Sequence, residues 1–565
     1  MAGRGEAADY YTLGDGPPNG GQRDYPMQPQ QAYGGQQQQY SNGNGQQQQF
    51  NNGPQQQYNG QQQQYNQQYG GPQSMPPPPS YQEGYGKWSQ DQKPTFEQAF
   101  KVDKPKLNDW WAGLLFLAVF AGFVAVSGLS LQGYAATKGF NGGGIYGSSN
   151  DFGLSTNTIV LFAFVLVMAL ILGYGYIYLA RMFTKQFIWI TGILNIVFVF
   201  VTAIYMLSRK YWSGGIVFLI FGAFAIFCFI SWIPRIPFSV LMLQTVIDVS
   251  KKFGHVYLVS FLGGLLAAAF GAWFSVTLVA VYVKYEPGNN PACSSSGGCS
   301  SATVIGLVVF ITFAGYWITE VLKNIIHVTI SGVYGAWYFS PNSPPKGATR
   351  GAAKRALTYS FGSISLGSLV VAIINMLRQA CSIAQQSAGA NGGNMATQCA
   401  FCLLQCILGL LDWAVQFINR YAFSYMALYG KSYFESAKAT WKLIKDEHVL
   451  YNRGIDALVN ECLIGPVLTM GATFVAYACA LLAYLYLVFT DPAYNQNGQF
   501  TPVVVAYAFL IGLQITNCFT VPLSSGIDTI FVAAAWDPEV LMKEHPDLYQ
   551  RMIQVYPHVQ QAIHA

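Results

Sequence analysis

Ten separate apolar runs punctuate the chain, each close to or above the roughly 20 residues a helix needs to cross the hydrocarbon core of a bilayer. They lie near Trp111–Leu131, Thr158–Arg181, Phe187–Leu207, Gly214–Ile233, Val256–Val283, Val304–Tyr338, Tyr359–Leu377, Ala400–Tyr429, Leu458–Phe489 and Pro502–Ala535. A soluble core of that size would need a charged, polar shell. Only 10% of the residues are charged and 52% are apolar, where soluble domains carry about a quarter charged. The surrounding medium is therefore lipid. In lipid only helices and closed barrels satisfy every backbone N–H and C=O. A barrel would read as alternating strands of about ten residues, and these runs are continuously apolar. The sequence predicts an all-α polytopic membrane protein of about ten transmembrane helices. Gly465-Pro466 and Pro522 fall inside runs, which is tolerated where neighbouring helices re-satisfy the backbone.

The runs divide the chain into a Gln/Tyr/Gly/Pro-rich tail over 1–100, a transmembrane domain over 101–540 and a short C-terminal tail over 541–565. Blocks such as Gln46–Gln49 and Gln61–Gln64 bury too little apolar surface to offset the entropy of ordering, so the N-terminal tail is expected to be disordered. Met1 opens a polar stretch without an apolar signal-peptide core, and the first span is expected to act as its own insertion signal. Within the tail, Pro76-Pro77-Pro78-Pro79-Ser80-Tyr81 pre-sets polyproline II. Pro78, Pro79, Ser80 and Tyr81 match the pattern read by WW domains, which would make a WW-domain ubiquitin ligase a partner. Inert linker is the alternative. The net charge of +5 is small for this length and forms no basic stripe, so no nucleic-acid partner is expected.

Lys and Arg accumulate on the cytoplasmic side of membrane proteins. With the N-terminus inside, the inner connections hold Arg181, Lys185, Arg235, Lys251, Lys252, Lys346, Arg350, Lys354, Arg355, Lys431, Lys438, Lys442 and Lys445. The outer ones hold Lys138, Arg209, Lys210 and Lys284. Both termini are expected to be cytoplasmic. Cys293 and Cys299, and Cys381 and Cys399, then bracket outer loops, where disulfides persist; free thiols are the alternative for each pair. Cys402 and Cys406 lack further ligands at fitting spacing, so no metal is expected. Two inner segments, Ile236–Lys252 and Tyr433–Lys445, carry amphipathic patterns suited to the lipid headgroup layer.

Ionisable groups inside spans are costly and point to function. In the sixth span Glu320, Lys323, Asn324, His327 and Ser331 share one helical face. They read either as a proton relay, with His327 the group most easily protonated near neutral pH, or as a neutralising structural set. In the eighth span Asp412, Trp413, Asn419, Arg420, Tyr421 and Tyr425, with Tyr429 following, suggest a polar seam beside aromatic faces able to hold a quaternary ammonium. An aromatic belt at the headgroup level is the competing reading. Glu461 and Asp528 lie near the inner ends of the last two spans, as gate residues or as snorkelling charges. Walker loops, nucleophile elbows and His-Glu-x-x-His motifs are absent, so neither an enzyme nor a cofactor is expected.

Several blocks carry a family resemblance. They are Trp232-Ile233-Pro234-Arg235-Ile236-Pro237-Phe238, His327-Val328-Thr329-Ile330-Ser331-Gly332, Gly362-Ser363-Ile364-Ser365-Leu366-Gly367-Ser368 and Phe417-Ile418-Asn419-Arg420-Tyr421-Ala422. In this order, over about 110–540, they resemble the choline transporter-like proteins, and the short first outer loop and Gln/Tyr-rich tail resemble the fungal branch. The resemblance implies ten helices with both termini inside. It also implies a plasma-membrane secondary transporter of a small organic cation, choline or ethanolamine, with proton exchange. A non-transporting membrane scaffold, or a lipid-handling protein of the scramblase kind, is the alternative. Membrane lipids are partners in either case.

Overall fold

The structure, a computed structural model, describes residues 106–137, 156–285, 300–341, 345, 347–390, 395–445, 463–492, 495, 498 and 501–555. Its helices are α1 (Trp110–Thr137), α2 (Thr156–Met182), α3 (Thr184–Ser208), α4 (Trp212–Trp232), α5 (Ile236–Lys252), α6 (His255–Tyr285), α7 (Ser301–Phe339) and α8 (Ala348–Leu357). Then come α9 (Phe361–Ala390), α10 (Met395–Tyr429), α11 (Tyr433–Lys445), α12 (Ile464–Thr490), α13 (Thr501–Trp536), α14 (Pro538–Glu544) and α15 (Pro546–Val555). Among the described residues there is no strand, and ten helices are long and apolar enough to cross a membrane. The Ser80 motif, Cys293, Cys299 and Glu461 lie outside the described residues.

Helix α7 is the hub. Ser300 caps it, accepting from the Thr303 N–H at 3.1 Å, and it packs against α1, α6, α9, α10 and α13. Trp317, 1% exposed, donates from Nε1 to the Ser365 carbonyl at 2.9 Å and so anchors α7 to α9. Peripheral helices turn their apolar residues outward instead. Ile220, Phe224 and Phe227 on α4 are 65%, 61% and 70% exposed, as a lipid-facing wall requires.

Proline positions follow backbone chemistry. Pro466 sits in the first turn of α12, where its missing N–H costs nothing. Pro522 lies within α13 and deprives the Cys518 carbonyl of its helical donor. Ser260 of α6 donates to that carbonyl instead, so a neighbouring helix supplies what the proline removed.

One end of the bundle is capped by α5, α8, α11, α14 and α15. Here α5 departs from the expected headgroup-lying helix. Leu241, Met242, Leu243, Val246 and Ile247 are buried in the core, and Tyr334 of α7 donates to the Val246 carbonyl at 3.1 Å. The exposed residues, Pro237, Gln244, Asp248, Lys251 and Lys252, lie along one edge. Two apolar residues per turn, against protein rather than lipid, explain the difference. Helix α11 keeps the interfacial pattern: Tyr433, Ser436 and Thr440 are buried, while Phe434 and Trp441 are 65% and 53% exposed. The C-terminal segment is also not a tail throughout, because Leu541, Leu548 and Met552 enter the core. At the same end Asp109 accepts from Ser363 Oγ at 2.6 Å and from the Tyr433 N–H at 2.9 Å. Asn108 donates to the Gly430 carbonyl at 2.8 Å, so the start of α1 clasps the α10–α11 corner. Gly362 lets the Asn108 and Asp109 carbonyls approach where any Cβ would collide.

Candidate functional site

The sixth-span face predicted from sequence is real, and it meets three neighbouring helices. Asn324 donates to Ser368 Oγ on α9 at 2.9 Å. His327 Nε2 lies 3.1 Å from the Arg420 carbonyl and 3.1 Å from Ser424 Oγ on α10. Its Nδ1 lies 2.7 Å from Ser525 Oγ on α13. A carbonyl can only accept, so Nε2 carries the proton and Nδ1 accepts from Ser525. Ser331 Oγ follows at 3.4 Å from Ser424 Oγ. A second proton at Nδ1 needs only rotation of the Ser525 hydroxyl, which can accept as readily as donate. The ring's hydrogen bonds thus fit the neutral imidazole and leave its Nδ1 partner free to turn.

Beside the ring, Arg420 grips Asp528 bidentately, Nε to Oδ2 at 2.8 Å and Nη2 to Oδ1 at 2.6 Å. The partners differ in access. The Asp528 side chain is 2% exposed and that of Arg420 is 41% exposed. The guanidinium passes over the Tyr421 ring at 5.8 Å. Lys323, whose side chain is 47% exposed, is 3.5 Å from Glu320 at 16%. Asp528, Arg420 and Lys323 are the charges that act on His327. The seam therefore opens at its two cations and closes around its carboxylates and imidazole.

The structure redistributes other expected residues. Asp412 does not share a seam with Arg420. It accepts from Arg378 Nη1 at 2.9 Å and from Gln416 Nε2 at 2.9 Å. Eight residues rotate a helix about 80° beyond two full turns, enough to aim the two at α9 and α13 respectively. Asn419 looks to α9, donating to the Gly367 carbonyl at 3.2 Å and accepting from Tyr433 Oη at 2.7 Å. Trp413 is 63% exposed and stacks outward on Phe417, away from the seam. Tyr425 packs on Trp536 and Tyr429, with centroids at 5.3 and 4.6 Å. Tyr429 donates to Asp537 at 2.5 Å. Only Tyr421 of the column stands beside the charges, so the expected aromatic cage does not form there. Cys381 and Cys399 are free. Both lie in helices rather than a loop: Cys381 is buried with its thiol toward the Phe401 carbonyl at 3.7 Å, and Cys399 is exposed.

Sequence reasoning missed Ser424 and Ser525, because small hydroxyls in apolar runs carry no charge signal. It also ended the seventh span at Leu377, before Arg378, although α9 runs to Ala390. The signal was present in polar residues that α7 and α10 satisfy: Gln379 accepts from Tyr316, and Gln385 from Gln405, each at 2.8 Å.

A family model described as plasma-membrane choline transporter matches residues 216–539, which take in the whole seam. The chain belongs to the choline transporter-like family. Its relatives among fungi include Protein PNS1 of Gibberella zeae, 62% identical over 477 residues covering 84% of this chain and 87% of the relative. Protein PNS1 of Neurospora crassa is 64% identical over 473 residues, 84% of each chain. Protein PNS1 of Saccharomyces cerevisiae is 41% identical over 474 residues, 82% of this chain and 87% of the relative. In this choline transporter-like protein α5 to α13 and all but the first turn of α4 fall within the family match, and the α1 clasp at Asn108 and Asp109 lies outside it.

Proposed function

We propose that this protein is a plasma-membrane secondary transporter of a small organic cation, choline or ethanolamine, exchanged for protons, with both termini cytoplasmic. The observation that supports this reading best is His327, held by α10 and α13 beside the Arg420–Asp528 pair inside an apolar bundle. A buried carboxylate already neutralised by an exposed guanidinium is a site where a substrate cation competes with Arg420 for Asp528. The imidazole at its side offers the coupled proton a place to reside. Lys323 and Arg420 are half-exposed rather than sealed in the bundle, which fits a path better than a dry scaffold pair. Uptake of labelled choline and ethanolamine by proteoliposomes tests the reading. Uptake of neither, together with rapid flipping of fluorescent lipid in the same vesicles, would replace it by the scramblase alternative. For orientation, a protease site inserted after Gly297 should be cut from outside intact cells and one after Gly347 should not. The Pro78–Tyr81 motif is proposed to recruit a WW-domain ubiquitin ligase.

A further inference from the structure

Away from the His327 seam, α7, α9 and α10 form an open hollow of about 650 Å³ whose wall includes Asn375, Arg378, Gln379, Ser382, Cys402 and Cys406. That volume lies within the roughly 300–1,000 Å³ of small-ligand sites. Its surroundings are apolar: on the same helices Leu377, Leu403 and Leu410 are 50%, 64% and 67% exposed. A polar hollow in such a wall needs an occupant that satisfies it.

The chemistry of the lining selects the occupant. Arg378 is the charged residue of the wall. Its side chain is 45% exposed, against 12% for Asp412 behind it. Both Asp412 oxygens are engaged, Oδ2 by Arg378 and Oδ1 by Gln416. Arg378 spends Nη1 on that contact, and a guanidinium carries five N–H donors. Among the described residues no other hydrogen bond draws on them. Gln379 accepts the Tyr316 hydroxyl through Oε1, which turns its NH2 group away as a donor. Ser382 and Asn375 add further donors. The neighbouring carboxylate is thus engaged, while the guanidinium keeps donors open beside neutral amides and a hydroxyl, around one cation in a low-dielectric wall. A cationic ligand would meet Arg378 before any free carboxylate; an oxyanion would meet a fork of N–H groups.

We propose that this cavity is an oxyanion site, binding a phosphate or carboxylate group through Arg378 with Gln379, Asn375 and Ser382 as secondary donors. The proposal does not depend on the transport reading. A lipid phosphate reaching in from the bilayer and a soluble anion offer the same chemistry, and the experiment separates them.

Cys402 and Cys406 line the cavity, while Cys399 is exposed on the same helix without lining it. The full-length protein is purified in a maltoside detergent, free of phosphate and carboxylate. Alkylation rates of the three thiols by N-ethylmaleimide are then followed by peptide mass spectrometry. Inorganic phosphate is added in one arm and phosphatidic acid in the other. In at least one arm Cys402 and Cys406 should slow saturably, about tenfold at ten times the dissociation constant, while Cys399 keeps its rate. Protection by phosphate assigns a soluble anion, and protection by phosphatidic acid alone assigns a lipid headgroup. The double change Arg378→Gln with Asp412→Asn removes the pair without stranding a charge and should abolish protection. Arg378→Lys keeps the charge, loses the fork, and should raise the half-protecting concentration. Absence of saturable protection in both arms, or equal protection in these variants, overturns the proposal.

Discussion

Arg420→Met and Asp528→Asn should destabilise the protein unequally, although they break the same ion pair. Two unit charges about 4 Å apart interact by about 4 kcal/mol at an effective dielectric near 20. What decides each loss is the environment of the partner left behind. Removing Arg420 strands a carboxylate whose side chain is 2% exposed, and breaking a buried pair in that way costs about 3–5 kcal/mol. Removing the Asp528 charge leaves Arg420, 41% exposed, with the asparagine carbonyl as a partner and room to turn away from the bundle. That loss should be about 1–2 kcal/mol. A gap of about 2 kcal/mol corresponds to roughly thirtyfold in the unfolding equilibrium. Denaturant unfolding of the full-length protein in mixed micelles at neutral pH, followed by tryptophan fluorescence, reads both variants. The combined change Arg420→Met with Asp528→Leu should recover most of the stability lost by Arg420→Met alone, since no charge is then stranded. Equal losses, a larger loss for Asp528→Asn, or a double variant as weak as Arg420→Met would refute the reasoning.

Other consequences are as direct. Gly362→Ala sets a Cβ against the Asn108 and Asp109 carbonyls, which are backbone and cannot swing aside, so α1 should detach from α9 and thermal stability in detergent should fall markedly. His545 is sensitive to acid. Burial lowers its pKa from the usual 6.5, with Lys252 acting in the same sense against the hydrogen bond to the Tyr338 carbonyl. The neutral ring is therefore the form that folding favours. Its contribution is complete above about pH 6.5 and is lost as the pH falls through the lower folded value. Hydrogen exchange in α14 and α15 should accelerate on mild acidification, and His545→Phe, which keeps the stack on Trp337, should remove that dependence. In the tail, Tyr81→Ala should lengthen residence at the cell surface without changing transport per molecule, measured by surface biotinylation; unchanged turnover would leave the segment as linker.

The fold was legible because lipid imposes length and continuous apolarity on every crossing segment, from Trp110 to Trp536. The polar face of α7 was legible for a related reason: charge and imidazole stand out in an apolar run, and helical periodicity puts Glu320, Lys323 and His327 together. Partnership was not legible. Arg420 and Asp528 are 108 residues apart, and only the packing of α10 on α13 makes them a pair. A periodicity argument placed Asp412 beside Arg420, but an 80° divergence accumulated over eight residues is enough to give each a different helix. The second half of α9 escaped notice because its polar residues resemble a loop. Tertiary contacts with Tyr316, Gln405 and Asp412 make it a helix that hydropathy alone does not reveal. Likewise Leu541, Leu548 and Met552 form a short buried stripe that is obvious only once the ends of α5, α7 and α13 are in place beneath it.

Proton-coupled movement of an organic cation through the His327 seam is the central claim, and one comparison tests it most directly. Labelled choline flux is measured in proteoliposomes of the wild type and of His327→Ala, with equal pH on both sides and with an imposed pH gradient. The account predicts that the gradient changes the wild-type flux and that His327→Ala, verified as folded, transports without responding to it. A wild-type flux indifferent to the gradient, or a gradient response that survives in His327→Ala, would contradict the account.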